Sequence, residues 1–118
     1  MNKMRTYQND RYLTTNKVPR PSRQQLERHI RDGAANSGNV RFTKHAHKRM
    51  RQRGITNPMV MEALRKGCIR QIPEPDIKFP GVKCRMERLV SGVLVGAVVY
   101  AEYPAPELVI VTVVNVGE

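Results

Sequence analysis

The stretch VKCRMERLVSGVLVGAVVYAEYPAPELVIVTVV, from Val82 to Val114, decides the fold class. In its first part Val82, Cys84 and Met86 alternate with charged residues, which is typical of a half-buried strand. The Ser-Gly pair at positions 91 and 92 then predicts a tight turn. Alternation followed by such a turn indicates that the chain folds back on itself as an antiparallel hairpin.

The remainder of this stretch predicts the other strands of the sheet. The run Val93–Ala101 is almost continuously apolar, which indicates a central strand covered on both faces. A second turn around Pro104 and Pro106 leads to another apolar strand at 108–114, and a short strand at 68–72 precedes the stretch. We therefore expect an antiparallel sheet of three or four strands.

Two helices are predicted immediately before the sheet. Thr43 can cap a helix over Lys44–Arg53, which Gly54 ends. Asn57-Pro58 opens a second helix, and Gly67 closes it. The expected fold is α+β, with two N-terminal helices packed on the antiparallel sheet in one compact domain of residues 40–118.

Residues 1–39 differ from this domain in composition, since eight basic and three acidic residues stand among polar sequence. We expect a basic, mostly flexible N-terminal arm. A short helix at 22–32 is possible within it, because Ser22 and Gln25 resemble a capping box and Leu26 and Ile30 lie one turn apart. Deleting residues 1–39 is expected to leave a folded core.

The overall charge indicates the class of partner. The 118 residues contain 21 Lys and Arg against 10 Asp and Glu, a formal net charge of +11, which favours a polyanion and most of all RNA. No apolar run approaches the ~20 residues that span a bilayer, so no membrane partner is expected. Cys68 and Cys84 are interpreted as reduced thiols in a cytoplasmic protein.

The segment from Arg41 to Arg53 is the densest basic region of the chain, with six Lys or Arg and no acidic residue. Like charges this close repel one another, a cost that a bound anion would offset. A solvated helix surface is the other interpretation. The residues that we expect to contact nucleic acid without taking part in chemistry are Arg41, Lys44, Lys48 and Arg51.

A metal site is not expected, although His45-Ala46-His47 invites the idea. Residues two apart on a helix point about 200° from each other, so one ion cannot take both imidazoles. The two cysteines complete no zinc-binding spacing. We therefore expect no metal and no cofactor.

The pattern His45-Ala46, Arg49-Met50 and Arg53-Gly54-Ile55 resembles the hallmark of the bacterial domain-of-unknown-function family 4258, over about residues 40–116. That family is similar to the RelE-like and BrnT-like toxins, small basic domains with helices on one antiparallel sheet. Several of these relatives are ribonucleases that need no metal, and many are neutralised by an antitoxin. The resemblance implies RNA as partner, on the ribosome or free, and a cognate antitoxin or other protein partner.

Metal-free RNA cleavage would need a group to accept the ribose 2′ proton, cations on the phosphate and an acid for the leaving oxygen. His45 is the natural base or acid, and Arg49, one helical turn along, suits a bidentate phosphate contact. The candidate catalytic residues are His45, Arg49, Arg53, Lys83, Arg85 and Tyr100. The alternatives are solvent-face positions for Lys83 and Arg85, packing for Tyr100, a bond to the helix C-terminus for Arg53 and a structural role for His45. We expect His45 and Arg49 to line one groove facing the three residues of the sheet.

Two functions from different classes follow. The first is an RNA-binding protein with metal-independent endoribonuclease toxin activity of the RelE-like or BrnT-like kind. The alternative is a non-catalytic nucleic-acid-binding or partner-inhibiting module, in which His45 and Arg49 are contact or structural residues.

Overall fold

The computed structural model describes residues 21–117. In this part of the chain three α-helices and six strands form the α+β fold that the sequence predicts. In chain order they are α1 (Arg23–Ala34), a short 3-10 turn (Ser37–Asn39), β1 (Val40–Phe42), α2 (Lys44–Arg53), α3 (Asn57–Lys66), β2 (Cys68–Ile69), β3 (Glu74–Pro75), β4 (Val82–Val90), β5 (Val93–Ala101) and β6 (Leu108–Asn115).

The sheet is larger than predicted, and it is mixed. Its strand order is β1-β6-β5-β4-β2, and β3 pairs with the other end of β4. The long strands β4, β5 and β6 pair antiparallel as expected, whereas β1 pairs parallel with β6, Val40 opposite Leu108. Strands β1 and β3 were not predicted from the sequence, because two or three residues are too few to show a period.

The register assigns the two faces of the sheet. Cys84, Val99 and Ile110 lie opposite one another on the face that the helices cover, and all three are buried. Lys83 lies opposite Tyr100 on the other face, called here the open face. The prediction that β5 is covered on both faces was wrong. Its apolar run is continuous because the open-face residues are also apolar, and periodicity does not reveal which faces are covered.

Helix α1 confirms the helix predicted at 22–32, extended by two residues. The Ser22 side chain accepts a hydrogen bond from the Gln25 amide, and the Gln25 side chain accepts one from Ser22, which completes the capping box. Residues 1–20, the rest of the predicted arm, lie outside the described residues.

The prediction that the core begins at residue 40 was wrong, because α1 is part of that core. Leu26, Ile30 and Ala34 are buried in the same cluster as the sheet residues. A Cβ on Gly33 would lie 2.7 Å from the carbonyl oxygen of Pro106, so α1 closely approaches the loop before β6. The apolar pair Leu26 and Ile30 was visible in the sequence, but its docking surface was not.

Polar contacts lock α1 onto α3 and β2. Arg31 Nη2 donates to the carbonyl oxygen of Gly67 at 2.6 Å, at the end of α3. In return Arg65 Nε donates to the carbonyl oxygen of Ala34 at 2.7 Å, at the end of α1. The two helices therefore satisfy each other's C-terminal carbonyl groups, which would otherwise lack partners. The Glu27 carboxylate also accepts from the Ile69 amide at 2.7 Å.

Candidate nucleic-acid interface

Helix α2 begins and ends where the sequence predicts, and its N-cap residue is bonded to the sheet. Thr43 Oγ1 accepts from the Ala46 amide at 3.0 Å and donates to the carbonyl oxygen of Val111 at 2.9 Å. The Thr43 amide donates to the carbonyl oxygen of Ile110 at 3.1 Å. Gly54 ends the helix in the left-handed region, with φ of 66°. The helix is therefore held rigidly against β6.

The narrow apolar stripe of α2 leaves its cations exposed. Ala46 and Met50 are buried against the sheet. Arg49 and Arg53 are half-buried on one flank of this stripe, and the other cations are exposed. We call the six cations of β1 and α2 the basic surface: Arg41, Lys44, Lys48, Arg49, Arg51 and Arg53.

No cation of the basic surface forms a salt bridge with an acidic residue within residues 21–117. Arg49 Nη1 donates to the neutral Gln52 Oε1 at 2.8 Å. The first acidic residue after this segment is Glu62, which pairs with Arg88. No carboxylate within residues 21–117 therefore pairs with the positive charges of α2.

Five of the ten other cations in the described chain have carboxylate partners. Arg85 Nε lies 2.9 Å from Glu87 and Arg70 Nε lies 3.8 Å from it, while only 5% of Glu87 is exposed. The salt bridges are Arg31–Glu27, Arg70–Glu87, Lys83–Asp76, Arg85–Glu87 and Arg88–Glu62. These five cations are therefore already paired with carboxylates of the protein itself.

The two histidines of α2 have different surroundings. His45 is exposed on the flank that also carries Arg49, one turn along. His47, on the opposite flank, stacks on Phe42 of β1, with ring centroids 5.3 Å apart and planes 25° apart. This aromatic pair could not be predicted from the sequence, because the two residues belong to different elements and no period relates them.

Two of the predicted catalytic residues, Lys83 and Arg85, share a cleft on the open face. The cleft has a volume of about 300 Å³, with Val98 and Thr112 among its lining residues. Both cations are partly engaged there, Arg85 with Glu87 and Lys83 with Asp76 at 4.0 Å. Backbone hydrogen bonds from Phe79 and Lys78 lower the pKa of Asp76, so it remains charged beside Lys83.

Tyr100 acts as a support for the neighbouring loop. Its hydroxyl donates to Glu102 Oε2 at 2.7 Å and accepts from the Gly81 amide at 3.0 Å. Partial burial, together with the hydrogen bond to the Glu102 carboxylate, raises the pKa of Tyr100. The phenol therefore keeps its proton and directs it to Glu102, an arrangement that suits a structural role.

The structure does not bring the predicted catalytic residues together. His45 and Arg49 project from α2, which packs on the covered side of the sheet, whereas Lys83, Arg85 and Tyr100 belong to the open face. No hydrogen bond or salt bridge between described residues joins the two groups, and no residue of α2 lines the cleft. The expected single groove is therefore not formed.

Neither cysteine has a disulfide partner. Burial, together with the Glu27 carboxylate, raises the pKa of the Cys84 thiol to about 12. Within residues 21–117 no three His, Cys, Asp or Glu residues cluster so that they could hold a metal ion. In the same range no helix is long and apolar enough to cross a membrane.

The comparisons with known proteins give one match. The family described as Domain of unknown function (DUF4258) matches residues 42–115, from the last residue of β1 through β6. No curated protein and no solved structure matches the chain. Helix α1, which packs into the core, lies outside the matched range.

Proposed function

The chain belongs to the DUF4258 family, and we propose that it binds RNA through the basic surface on β1 and α2. The observation that carries this proposal is that all six consecutive cations of this segment lack a carboxylate partner in residues 21–117, while five of the ten other described cations have one. An uncompensated row of cations on a rigid helix is what a phosphate backbone requires.

Electrostatic repulsion within α2 supports the proposal. Lys44 and Lys48 are four residues apart, as are Arg49 and Arg53, and each pair destabilises the helix by about 0.2–0.5 kcal/mol. Phosphate oxygens between these side chains would turn repulsion into attraction. We propose RNA rather than DNA as the ligand because of the resemblance to metal-independent ribonucleases. Parallel titrations with single-stranded RNA and DNA of the same sequence test this choice.

The salt dependence of binding tests the proposal. If about five of the six cations meet phosphates, log affinity for single-stranded RNA should fall against log salt with a slope of about −3.5. Arg51→Ala should reduce this slope by about 0.7, whereas Arg88→Gln, which removes a cation paired with Glu62, should leave it unchanged. A wild-type slope near zero would exclude the basic surface as a nucleic-acid interface.

Endoribonuclease activity is the second candidate, favoured by the exposed His45 one turn from Arg49. His45 would accept the 2′-hydroxyl proton while the 2′ oxygen attacks the adjacent phosphorus and Arg49 binds the phosphate. The bond to the 5′ oxygen then breaks, and a proton from an acid goes to that oxygen. The products are a 2′,3′-cyclic phosphate and a free 5′-hydroxyl, with no water consumed.

Cleavage assays in EDTA separate this candidate from a non-catalytic module. Wild-type protein should yield cyclic-phosphate ends and arrest bacterial growth when expressed without an antitoxin, and His45→Ala should do neither. Arg49→Ala should slow cleavage by a factor on the order of 10². If His45→Ala retains full cleavage, the histidine is a contact residue only.

A further inference from the structure

We infer that the stacked pair Phe42 and His47 is a platform for one unpaired nucleobase, so that the ligand of the basic surface is single-stranded. This inference rests on the proposed function and assigns a site to two aromatic residues that the proposed function does not use. The pair stands where β1 passes into α2, within the basic surface.

The geometry leaves one face of the imidazole for a ligand. Phe42 is half-buried and packs against the core, which fixes its ring. His47 stacks on it with planes 25° apart, and His47 is itself exposed. One face of the His47 ring is therefore covered by Phe42, and the other can receive a flat ligand. A base placed there would extend the two-ring stack to three.

The charges around His47 favour a ligand with phosphates on both sides of the base. Lys44 lies three residues before His47 and Arg51 four residues after it, so both neighbour it on the helix surface. No acidic residue occurs between Arg41 and Met61 to repel a phosphate. A nucleotide stacked on His47 would thus have a cation within reach along the helix in each direction.

Stacking selects single strands over duplexes. Bases inside a duplex are paired and stacked on each other, so an aromatic side chain on a protein surface reaches only unpaired ones. Aromatic platforms set in a positively charged surface are a general means of binding single-stranded nucleic acid with little sequence preference. The platform therefore predicts preference for unpaired segments, loops or ends, without a strict sequence.

Variants of His47 separate stacking from charge. His47→Ala removes the platform, His47→Phe keeps an aromatic ring, and His47→Lys keeps a cation but no ring. Each is titrated with oligoadenylate, with inorganic polyphosphate of similar charge, which has no bases, and with duplex RNA. Thermal unfolding of every variant reports whether the contact with Phe42 also matters for stability.

Loss of the ring should weaken oligoadenylate binding by a factor on the order of ten in His47→Ala and in His47→Lys. His47→Phe should bind oligoadenylate as wild type does, and polyphosphate affinity should change little in His47→Ala. Equal losses for oligoadenylate and polyphosphate, no loss in His47→Ala, or equal wild-type affinity for duplex and single strand would each overturn the inference. If wild-type binding lacks a salt slope, the proposed function itself fails.

Discussion

Helices α1 and α2 are both short, basic and narrowly amphipathic, yet the fold uses their cations differently. In α1, Arg31 donates to Gly67 and lies near Glu27. In α2, none of the cations meets a carboxylate in the described chain. Net charge alone therefore does not identify a binding surface. What distinguishes α2 is that every one of its cations lacks a carboxylate partner within residues 21–117.

The two helices also differ in what they contribute to the core. Leu26 and Ile30 of α1 are large and essentially fully buried, whereas α2 buries the small Ala46 together with Met50. The family match nevertheless includes α2 and excludes α1. We conclude that α1 stabilises this chain, while α2 presents its charge.

Among single substitutions, the largest loss of stability is expected from Ile30→Ala. The side chain is fully buried, so its truncation should lower the free energy of unfolding by about 2–5 kcal/mol in chemical denaturation. Gln52→Ala, at an exposed position of α2, is the control and should stay within about 0.5 kcal/mol. Unchanged stability of Ile30→Ala would mean that α1 is an appended arm after all.

Comparing two truncations extends this test to the whole helix. Deleting residues 1–39 removes α1, whereas deleting residues 1–20 retains it with its Ser22 cap. Only the longer deletion removes the buried residues of α1, so the difference in unfolding free energy between the two isolates its contribution. Cooperative unfolding after the longer deletion would show that residues 40–118 suffice for the fold.

A smaller effect is expected from a matched pair of arginine substitutions. Arg31→Ala leaves the Gly67 carbonyl without its donor and should cost about 1–3 kcal/mol of unfolding free energy. Arg51→Ala removes only a repelling charge and should be neutral or slightly stabilising, while it weakens RNA binding. If Arg51→Ala destabilises the fold and Arg31→Ala does not, the distinction between cations that stabilise the fold and cations proposed to bind RNA is wrong.

The smallest expected effect concerns ionisation of the Cys84 thiol, which tests the docking of α1 without a substitution in the core. Its pKa lies near 12 rather than 9.0, because the side chain is buried and Glu27 of α1 disfavours the thiolate. The neutral thiol is therefore favoured in the folded state. Its contribution to stability is complete below pH 9 and is lost as pH rises from 9 towards 12.

Thiol labelling measures this protection directly. At pH 8 a thiol reagent should leave Cys84 unmodified in folded protein and modify it in denaturant. Glu27→Gln should lower the pKa of Cys84 somewhat and speed its labelling at high pH. Rapid labelling of Cys84 in native protein would indicate that α1 leaves the core frequently.

Elements that depend on neighbouring residues could be predicted from the sequence alone. The cap at Thr43, the stop at Gly54 and the alternation in β4 are local signals, and the helix and strand that they predicted are present. The density of positive charge in α2 is local in the same way. Each of these features follows from backbone geometry and from contacts within a few residues.

Long-range packing determines which surfaces are covered and which cations within residues 21–117 have a carboxylate partner. The alternation of β4 predicts that Glu87 points outward to solvent, yet it is buried between β2 and β5 and pairs with Arg70 and Arg85. The parallel pairing of β1 and the stack of His47 on Phe42 likewise join separate elements. Such contacts depend on how distant segments meet, and no local period in the sequence records that.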